Sequence, residues 1–414
     1  MKLMVYSHDA FGLGNIRRMV AICSYLLDAM PGLSVLVVSG SPALHSFRLS
    51  PRLDYIKLPC LSRDQAGQMG ATFLDTSLEE TVNLRAELIL SATQHFKPDV
   101  FLVDKKPSGL LQELQPTLNY LERRTLTGIK TQLVLLLRDI LDAPEVTRRQ
   151  WKRQGYFDLV ERLYSQIWVV GSPDVFDLPR EYGFPEAIAN KVRFCGYIRR
   201  QPGRRSRATV RQDLYLNPED QMVLVTPGGG ADGESLVMTY LKMATGPAAA
   251  TLPVTLKSLI VCGYEMPLPQ RQRVHDIAAA HPYIEVIDFS DDVLSLMDAA
   301  DLVVSMGGYN TTCEILSLRK RAVVVPRIHP VQEQWMRSER LAQRQLLYNL
   351  PPQQLSPEAL AVAVKQQLKT ALPPTQVIDL GALPRISKLM AALLPCPFTT
   401  HSFRSSFPCL VTAP

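Results

Sequence analysis

The sequence predicts an α/β protein made of two similar halves, each a series of strands that alternate with helices. Short apolar runs followed by amphipathic, helix-like stretches form two such series, and an arginine-rich stretch separates them. A chain of 414 residues has room for two to three domains. We therefore expect two Rossmann-like, doubly wound domains that face each other across a cleft.

The first series occupies residues 1–197, which we predict to be an N-terminal, Rossmann-like domain. Apolar runs of four to seven residues predict its strands, and periodic apolar positions predict its helices. In chain order the expected elements are a strand at 3–6, a helix at 16–30, a strand at 34–38, a helix at 78–95, and strands at 100–103, 131–137, 166–170 and 192–194.

The stretch 198–211 is expected to be a linker, because it carries six arginines together with proline and glycine. A second series follows within 212–394, with strands expected at 222–226, 259–262, 284–287, 302–305 and 322–325 and a helix from about residue 235. Residues 395–414 carry one charge, four prolines and no periodicity, which predicts a poorly ordered tail.

Composition excludes several classes of protein. The net charge of +6 is small for this length, and no basic and aromatic interleaving typical of nucleic-acid binding is present. The seven cysteines form no CxxC pair, which favours reduced, cytosolic thiols. The sequence shows no signal peptide and no apolar run of about 20 residues. We expect a cytoplasmic protein whose membrane contact is at most peripheral, at the inner membrane face.

Glycine-containing loops follow three of the expected strands and precede helices, where doubly wound sheets bind ligands. Glycine allows a close backbone approach to a ligand, and amides at a helix N-terminus favour a diphosphate. A tight turn is the alternative at each loop, and Arg17 interrupts a dinucleotide fingerprint in the first. These glycines are Gly12 and Gly14, followed by Asn15; Gly228, Gly229 and Gly230; and Gly307 and Gly308.

Polar residues in two further positions suit a sugar nucleotide. Asn310, Thr311 and Glu314 follow the third glycine loop, and a carboxylate at Glu314 could accept two hydrogen bonds from a ribose diol. Glu333 and Gln334, after the strand at 322–325, suit sugar hydroxyls. An ordinary helix start with acidic residues in its first turn is the alternative for both.

Taken together, in this order and context, the loops resemble a known family more specifically than any single loop does. Through 289–292, 300–308, 312–314, 325–326 and 333–334, the second half is similar to the C-terminal domain of glycosyltransferase family 28. That family includes the lipid-linked peptidoglycan N-acetylglucosaminyl transferase and the monogalactosyldiacylglycerol synthases. The resemblance covers about 220–350. The first half more loosely resembles bacterial predicted glycosyltransferases, through 6–9, 12–14, 104–107 and 137–142.

The resemblance implies a GT-B fold and inverting transfer of a hexose or N-acetylhexosamine from a nucleotide-sugar, normally a UDP-sugar, without a metal or other cofactor. The implied partners are that donor and an acceptor. The identity of the acceptor stays open between a lipid and a cell-envelope glycan. By resemblance, Glu314 holds the ribose, backbone at Phe289 or Ser290 meets the base, and Gln334 contacts the donor sugar. The implied diphosphate neighbours are Gly229, Gly230, Gly307, Gly308 and Arg199; a merely solvated Arg199 is the alternative.

Two departures from the family concern the reaction itself. Asn15 stands where a histidine is usual, and Glu333–Gln334 replaces the frequent pair of glutamines. A base for the acceptor hydroxyl must then come from another strand end of the first domain, where His8, Asp9, Asp104 and Asp139 are available. We favour His8, for its near-neutral pKa, and Asp139, whose neighbour Arg138 could orient a phosphate or lower the pKa of that acid. A helix cap or a structural ion pair is the alternative for each.

Two other functions remain open. UDP-sugar 2-epimerases share this architecture, although the loops of the second half resemble the transferases more closely. The chain could also bind a nucleotide-sugar without catalysis, since Asn15 cannot act as a base.

Overall fold

The first half of the chain forms a parallel sheet with helices on both faces. The computed structural model describes residues 1–7, 14–42, 50–63, 68–374 and 377–393. In chain order its elements are β1 (Lys2–Ser7), α1 (Gly14–Ala29), β2 (Ser34–Ser39), β3 (Leu53–Lys57), β4 (Leu61–Arg63), β5 (Met69–Ala71), α2 (Leu78–Phe96), β6 (Val100–Asp104), α3 (Gln115–Leu126), β7 (Gln132–Arg138), α4 (Pro144–Arg153), α5 (Tyr156–Leu163), β8 (Gln166–Val170), α6 (Leu178–Tyr182), α7 (Glu186–Ala189) and β9 (Val192–Phe194).

The second half repeats this plan. Its elements are α8 (Arg207–Asp213), β10 (Gln221–Thr226), α9 (Glu234–Thr245), β11 (Leu256–Val261), α10 (Leu268–Ala278), β12 (Ile284–Ile287), α11 (Val293–Ala299), β13 (Leu302–Ser305), α12 (Tyr309–Leu318), β14 (Arg321–Val324), α13 (Glu333–Gln343), β15 (Tyr348–Asn349), α14 (Pro357–Lys369) and α15 (Ala382–Leu393). Within the described residues, short 3₁₀ helices lie at Leu110–Gln112, Pro247–Thr251 and Pro352–Gln354.

Both sheets are doubly wound, as the sequence predicts. The strand order is β3-β2-β1-β6-β7-β8-β9 in the first sheet and β12-β11-β10-β13-β14-β15 in the second. The order reverses between β1 and β6 and between β10 and β13. Crevices form at such reversals, because the connections on either side leave toward opposite faces of the sheet.

Local sequence explains most element starts. At α2, Ser77 Oγ accepts a hydrogen bond from Glu80 N at 3.1 Å, and Glu80 accepts one from Ser77 N at 2.9 Å. This capping box fixes the helix start at the predicted residue. The predicted strands and helices are confirmed to within three residues. The sequence analysis missed β3 and the antiparallel pair β4–β5, because their short runs carry little periodicity.

Two packing features lie at the predicted domain boundaries, which stay predictions. Ala382, Ile386 and Met390 of α15 are buried in an apolar cluster that contains residues of both halves, and α15 contacts α1. The predicted linker 198–211 ends in α8, where Arg207 and Arg211 pair with Asp301. The predicted tail, 395–414, lies outside the described residues. None of the described helices has the length and apolar character needed to span a membrane.

Candidate active site

The carboxyl-terminal edges of the two sheets face each other across direct hydrogen bonds. Tyr309 Oη, at the start of α12, donates to the carbonyl of Val170 at the end of β8, at 2.9 Å. Asn310 Nδ2 donates to the carbonyl of Gly14 at the start of α1, at 2.7 Å. The predicted loops of both halves therefore meet in one cleft.

On the second-sheet side, α12 presents an uncapped N-terminus. Gly308 is the N-cap residue and makes no side-chain cap hydrogen bond. The first intrahelical bond runs from Thr312 N to Gly308 O, which leaves the N–H groups of residues 309–311 without an intrahelical acceptor. A Cβ at Gly308 would meet no described heavy atom within 4 Å. Free amides, a helix dipole and open space together suit an anion.

The glycine loop after β10 lies beside this helix start. Gly228 and Gly230 have φ angles of 88° and 95°, a region that side chains rarely adopt. A Cβ at Gly230 would lie 2.4 Å from the carbonyl of Cys262, whereas one at Gly228 would lie 4.0 Å from Thr311 Oγ1. Glycine is thus needed for packing at residue 230. The exposed backbone at 228 borders α12, and the exposed backbone at 229 lies beside the carboxylate of Glu265. These two loops flank the reversal between β10 and β13.

Gly307 serves the fold rather than an open surface. Its φ is 73°, and an added Cβ would lie 2.6 Å from Val324 Cγ1 and 2.9 Å from Ser338 Oγ. The glycine therefore lets β14 and α13 pack closely on the loop. Of the two glycines, Gly308 is the one with open space around it, and the diphosphate contact expected of both stays a prediction.

Two exposed aromatic rings stand at the next strand ends. Phe289 follows β12, is half exposed and contacts Tyr264 edge to face, with ring centroids 6.2 Å apart. Ser290 Oγ accepts a hydrogen bond from Asp292 N at 3.1 Å. Exposed rings side by side suit a planar base. Sequence reasoning missed Tyr264, although its position directly after β11 and Gly263 was a usable signal.

Glu314, the predicted ribose ligand, is covered by the first half of the chain. Its carboxylate is 2% exposed and pairs with Arg17 of α1 at 3.0 Å, while the Arg17 side chain stays 35% exposed. A ribose hydroxyl that reaches Glu314 must therefore share or displace this guanidinium.

Asp139, one of the two predicted bases, lies buried between the two halves. Both of its oxygens accept hydrogen bonds from Arg337, at 2.7 and 2.8 Å, and neither side chain is exposed. Tyr197 Oη and the Ile140 amide also donate to the carboxylate, each at 2.8 Å. Burial lowers the pKa of Arg337, but the charge of Asp139 and its hydrogen bonds raise that pKa well above its ordinary value. This geometry argues against a base role for Asp139 and makes it an anchor between the domains.

The acceptor-side residues of the first half are brought together around Arg18. Asp104, 1% exposed, accepts hydrogen bonds from Arg18 at 2.7 and 2.9 Å, and Asn15 accepts one at 3.3 Å. Asp104 is thus a structural ion-pair partner, the alternative weighed for it above. His8 and Gly12 lie outside the described residues, so the base prediction for His8 stays a prediction.

Arg138 crosses the cleft to the start of α13. Its guanidinium contacts both oxygens of Glu333 at 2.9 Å, and Glu333 is 4% exposed. Burial raises the pKa of Glu333, but the nearby Arg138 and Arg337 outweigh this effect and hold that pKa below its ordinary value. The neighbouring Gln334 accepts a hydrogen bond from the Arg327 amide at 3.1 Å. The pair that departs from the family pattern is therefore engaged with protein groups at the cleft.

Arg199 does not lie at the predicted diphosphate position. It lines a cavity of about 50 Å³ together with Ser317, at the far end of α12 from Gly308. Ten helical residues separate these ends by about 15 Å. Arg200 instead donates to Asn310 Oδ1 at 2.7 Å. The expected contact of Arg199 with a phosphate stays a prediction, and in this structure the neighbouring Arg200 is the arginine that reaches the start of α12.

Comparison with known proteins shows that the second half is similar to a family of transferases. Residues 222–378 match the model of the glycosyltransferase family 28 C-terminal domain. An uncharacterized glycosyltransferase of Methanopyrus kandleri is 28% identical over 238 residues, or 57% of this chain and 63% of that protein. A UDP-N-acetylglucosamine–N-acetylmuramyl-(pentapeptide) pyrophosphoryl-undecaprenol N-acetylglucosamine transferase of Clostridioides difficile is 25% identical over 185 residues, or 44% and 43% of the two chains. The chain spans less than two thirds of the length of these relatives.

Solved structures resemble the whole chain. A kitacinnamycin glycotransferase superimposes with a TM-score of 0.60 and 14% identity, covering 95% of this chain and 99% of its own. MurG of Acinetobacter baumannii gives 0.58 and 16%, covering 94% and 99%. A UDP-GlcNAc 2-epimerase of Neisseria meningitidis gives 0.56 and 13%, covering 95% and 99%. At such identities the likeness concerns the fold alone. The chain therefore has the GT-B fold, and its residues 222–378 are similar to the glycosyltransferase family 28 C-terminal domain.

Proposed function

We propose that the protein is a glycosyltransferase that moves a hexose or N-acetylhexosamine from a UDP-sugar to an acceptor hydroxyl, with inversion at the anomeric carbon. The observation that carries this proposal is the uncapped start of α12 at Gly308, beside the exposed glycine backbone at 228 and 229. The family match of residues 222–378 supports it. In the proposed complex, this anion site holds the diphosphate of the donor.

The same site supplies the chemistry that the leaving group requires. When the bond between the anomeric carbon and the β-phosphate oxygen breaks, negative charge grows on the diphosphate. Amides of residues 309–311 and the positive end of the α12 dipole stabilise this charge without reorganising. The proposal assigns no metal ion to this step.

The rest of the donor extends along the second sheet. We assign the base to the exposed surface of Phe289 and Tyr264, and the ribose to Glu314 after release of Arg17. Glu333 and Gln334, at the start of α13, face the position proposed for the sugar. The acceptor oxygen attacks the anomeric carbon from the face opposite the diphosphate and gives its proton to a base. We keep His8 in that role, because the carboxylate of Asp139 forms a buried ion pair with Arg337.

The acceptor is proposed to be a lipid-linked or cell-envelope glycan presented at the inner membrane face. The relative from Clostridioides difficile is named for a pyrophosphoryl-undecaprenol acceptor, which supports this class. The protein would then act in the cytoplasm, with peripheral membrane contact.

The test measures nucleotide release from a panel of UDP-, GDP- and TDP-sugars, with and without a bacterial lipid extract. We expect UDP release that requires extract, and a product of inverted anomeric configuration by NMR. Conversion of a UDP-sugar to its 2-epimer without acceptor would replace the transferase with an epimerase. Tight UDP binding with no turnover in any extract would favour a non-catalytic binder. A Gly308→Asp variant serves as the site-blocked control.

A further inference from the structure

Lys105 is a half-buried lysine at the reversal between β1 and β6, the crevice position of the first sheet. It follows β6 directly, and its amide donates to the carbonyl of Leu136 at 2.9 Å. Among the described residues, its ammonium group has neither a hydrogen bond nor an ion pair. Its charge therefore lies at the cleft without a partner in the described chain.

Other buried lysines of this protein are treated differently. Lys191 donates to the carbonyls of Val160 and Tyr164, at 3.1 and 2.8 Å. Lys320 donates to the carbonyl of Ala300 at 3.1 Å and pairs with Asp298. Burial lowers the pKa of both lysines, as it does for Lys105. Each of these two ammonium groups is satisfied by protein oxygens, and Lys105 departs from that pattern.

The carboxylates near Lys105 are already engaged. Asp104 is held by Arg18 at 2.7 and 2.9 Å, and Glu333 is held by Arg138 at 2.9 Å. Both carboxylates attract Lys105 but are bonded to arginines, so no described carboxylate forms an ion pair with Lys105 itself. Burial and the repulsion of Arg138 lower the pKa of Lys105 to about 8, so the lysine is still mostly protonated at neutral pH. An added anion would relieve both effects.

The backbone around Lys105 is held in an unusual conformation. Lys105 has a φ of 66°, and Leu111 and Gln112 in the same loop have φ angles of 51° and 65°. Such angles are uncommon for residues with a side chain and persist where the surrounding structure imposes them. Glu113, at the end of this loop, is clamped by Arg85 and by Tyr6 Oη, each bond being 2.5 Å. The fold thus holds the loop that carries Lys105 in a fixed shape.

We propose that Lys105, together with Arg138, forms an anion subsite on the first-sheet side of the cleft that binds a phosphate or carboxylate group of the acceptor. This inference rests on the proposed function. The donor diphosphate is assigned to α12 and the β10 loop of the second sheet, so the first-sheet subsite is left to the other substrate. An anionic acceptor group held there would set its hydroxyl against the donor sugar beside Glu333.

The test uses pyridoxal 5′-phosphate, which carries an amine-reactive aldehyde and a phosphate on one small molecule. Borohydride fixes the label, and peptide mass spectrometry locates it. We expect Lys105 to be labelled ahead of Lys191 and Lys320, and inorganic phosphate to protect it. Pyridoxal, which lacks the phosphate, should label Lys105 about tenfold more slowly, the difference made by one charge-assisted hydrogen bond. Equal labelling by the two reagents, or no protection by phosphate, would overturn the subsite.

Saturating UDP distinguishes the two sources of the anion. Labelling of Lys105 that persists with UDP supports the acceptor, and protection by UDP assigns the subsite to the donor and overturns our assignment. A parallel UDP titration on unlabelled protein distinguishes failure of this inference from failure of the proposed function. If UDP does not bind, the proposed function is refuted, and the protection of Lys105 by phosphate is still measured.

Three variants complete the test. Lys105→Arg keeps the charge and should retain phosphate binding measured by calorimetry, whereas Lys105→Gln removes the charge and should lose it. Lys105→Gly removes the ammonium and relieves the positive φ, so it should fold with an unchanged or higher thermal midpoint and lose phosphate binding by calorimetry. Phosphate binding retained in Lys105→Gly would overturn the role of the lysine.

Discussion

A single substitution at Gly308 should separate nucleotide binding from folding. Gly308 has a φ of −56° and a ψ of 149°, the extended conformation of an ordinary N-cap residue, and open space surrounds its would-be Cβ. An aspartate there can accept hydrogen bonds from the amides of α12 that we assign to the diphosphate. Gly308→Asp should therefore cap the helix and block the anion site at once.

The two effects differ in sign and in size. Replacing a glycine cap with aspartate should stabilise the fold by a few tenths of a kcal/mol, and charge at the helix N-terminus should add about 0.3–1 kcal/mol. Losing two charge-assisted hydrogen bonds to the diphosphate should cost about 3–6 kcal/mol of binding free energy. At about 1.4 kcal/mol per tenfold, UDP should bind roughly 10²–10⁴ times more weakly.

The assay pairs UDP titration calorimetry with thermal unfolding of the apo-protein. Gly308→Asn is the matched control, since it offers a similar cap without the charge and should weaken UDP less than the aspartate does. An aspartate variant that is at least as stable as the parent and binds UDP within about threefold, a difference of only ~0.7 kcal/mol, would refute the assignment of the diphosphate to α12. A loss of stability in both variants would refute the reasoning about the cap.

Three further predictions concern the ion pairs that join the two halves. Glu314→Gln should weaken UDP binding by ~1–3 kcal/mol, whereas Arg17→Gln, which frees the Glu314 carboxylate, should strengthen UDP binding. Calorimetry on both variants tests this prediction, and equal effects on UDP affinity would contradict it. Asp139→Asn should lower the free energy of unfolding by about 3–5 kcal/mol, because Arg337 stays buried without its counter-charge. The double variant Asp139→Leu/Arg337→Met leaves no buried charge and should recover most of that loss, as measured by urea unfolding. The pKa of Glu333 is lower in the folded protein than in the unfolded chain, so the ionised Glu333 stabilises the fold above the unfolded pKa of about 4.3, and this contribution falls as acid protonates the carboxylate. Glu333→Gln should therefore flatten the plot of unfolding free energy against pH between about pH 5 and pH 3. An unchanged slope in the variant would contradict this prediction.

Local pattern determines much of the fold. The apolar runs of the strands and the capping box at α2 depend on residues within a few positions of one another, so the sequence alone indicates them. The positions of the glycine loops at strand ends follow in the same way. Among the elements that the sequence did not indicate, β3 and the β4–β5 pair are defined by pairing with neighbouring strands rather than by their own periodicity.

The sequence by itself determined which residues stand at strand ends, and the tertiary structure decided what those residues do there. Asp139 meets Arg337 across 198 positions of sequence, and Arg17 meets Glu314 across 297, so no local pattern could reveal that these carboxylates are occupied. The packing of residues 199 and 200 against α12 likewise places Arg199 beside Ser317 and brings the Arg200 side chain to Asn310. The physical reason is that charge pairing depends on distance in space. Hydrophobic periodicity, by contrast, depends on the order of residues along the chain.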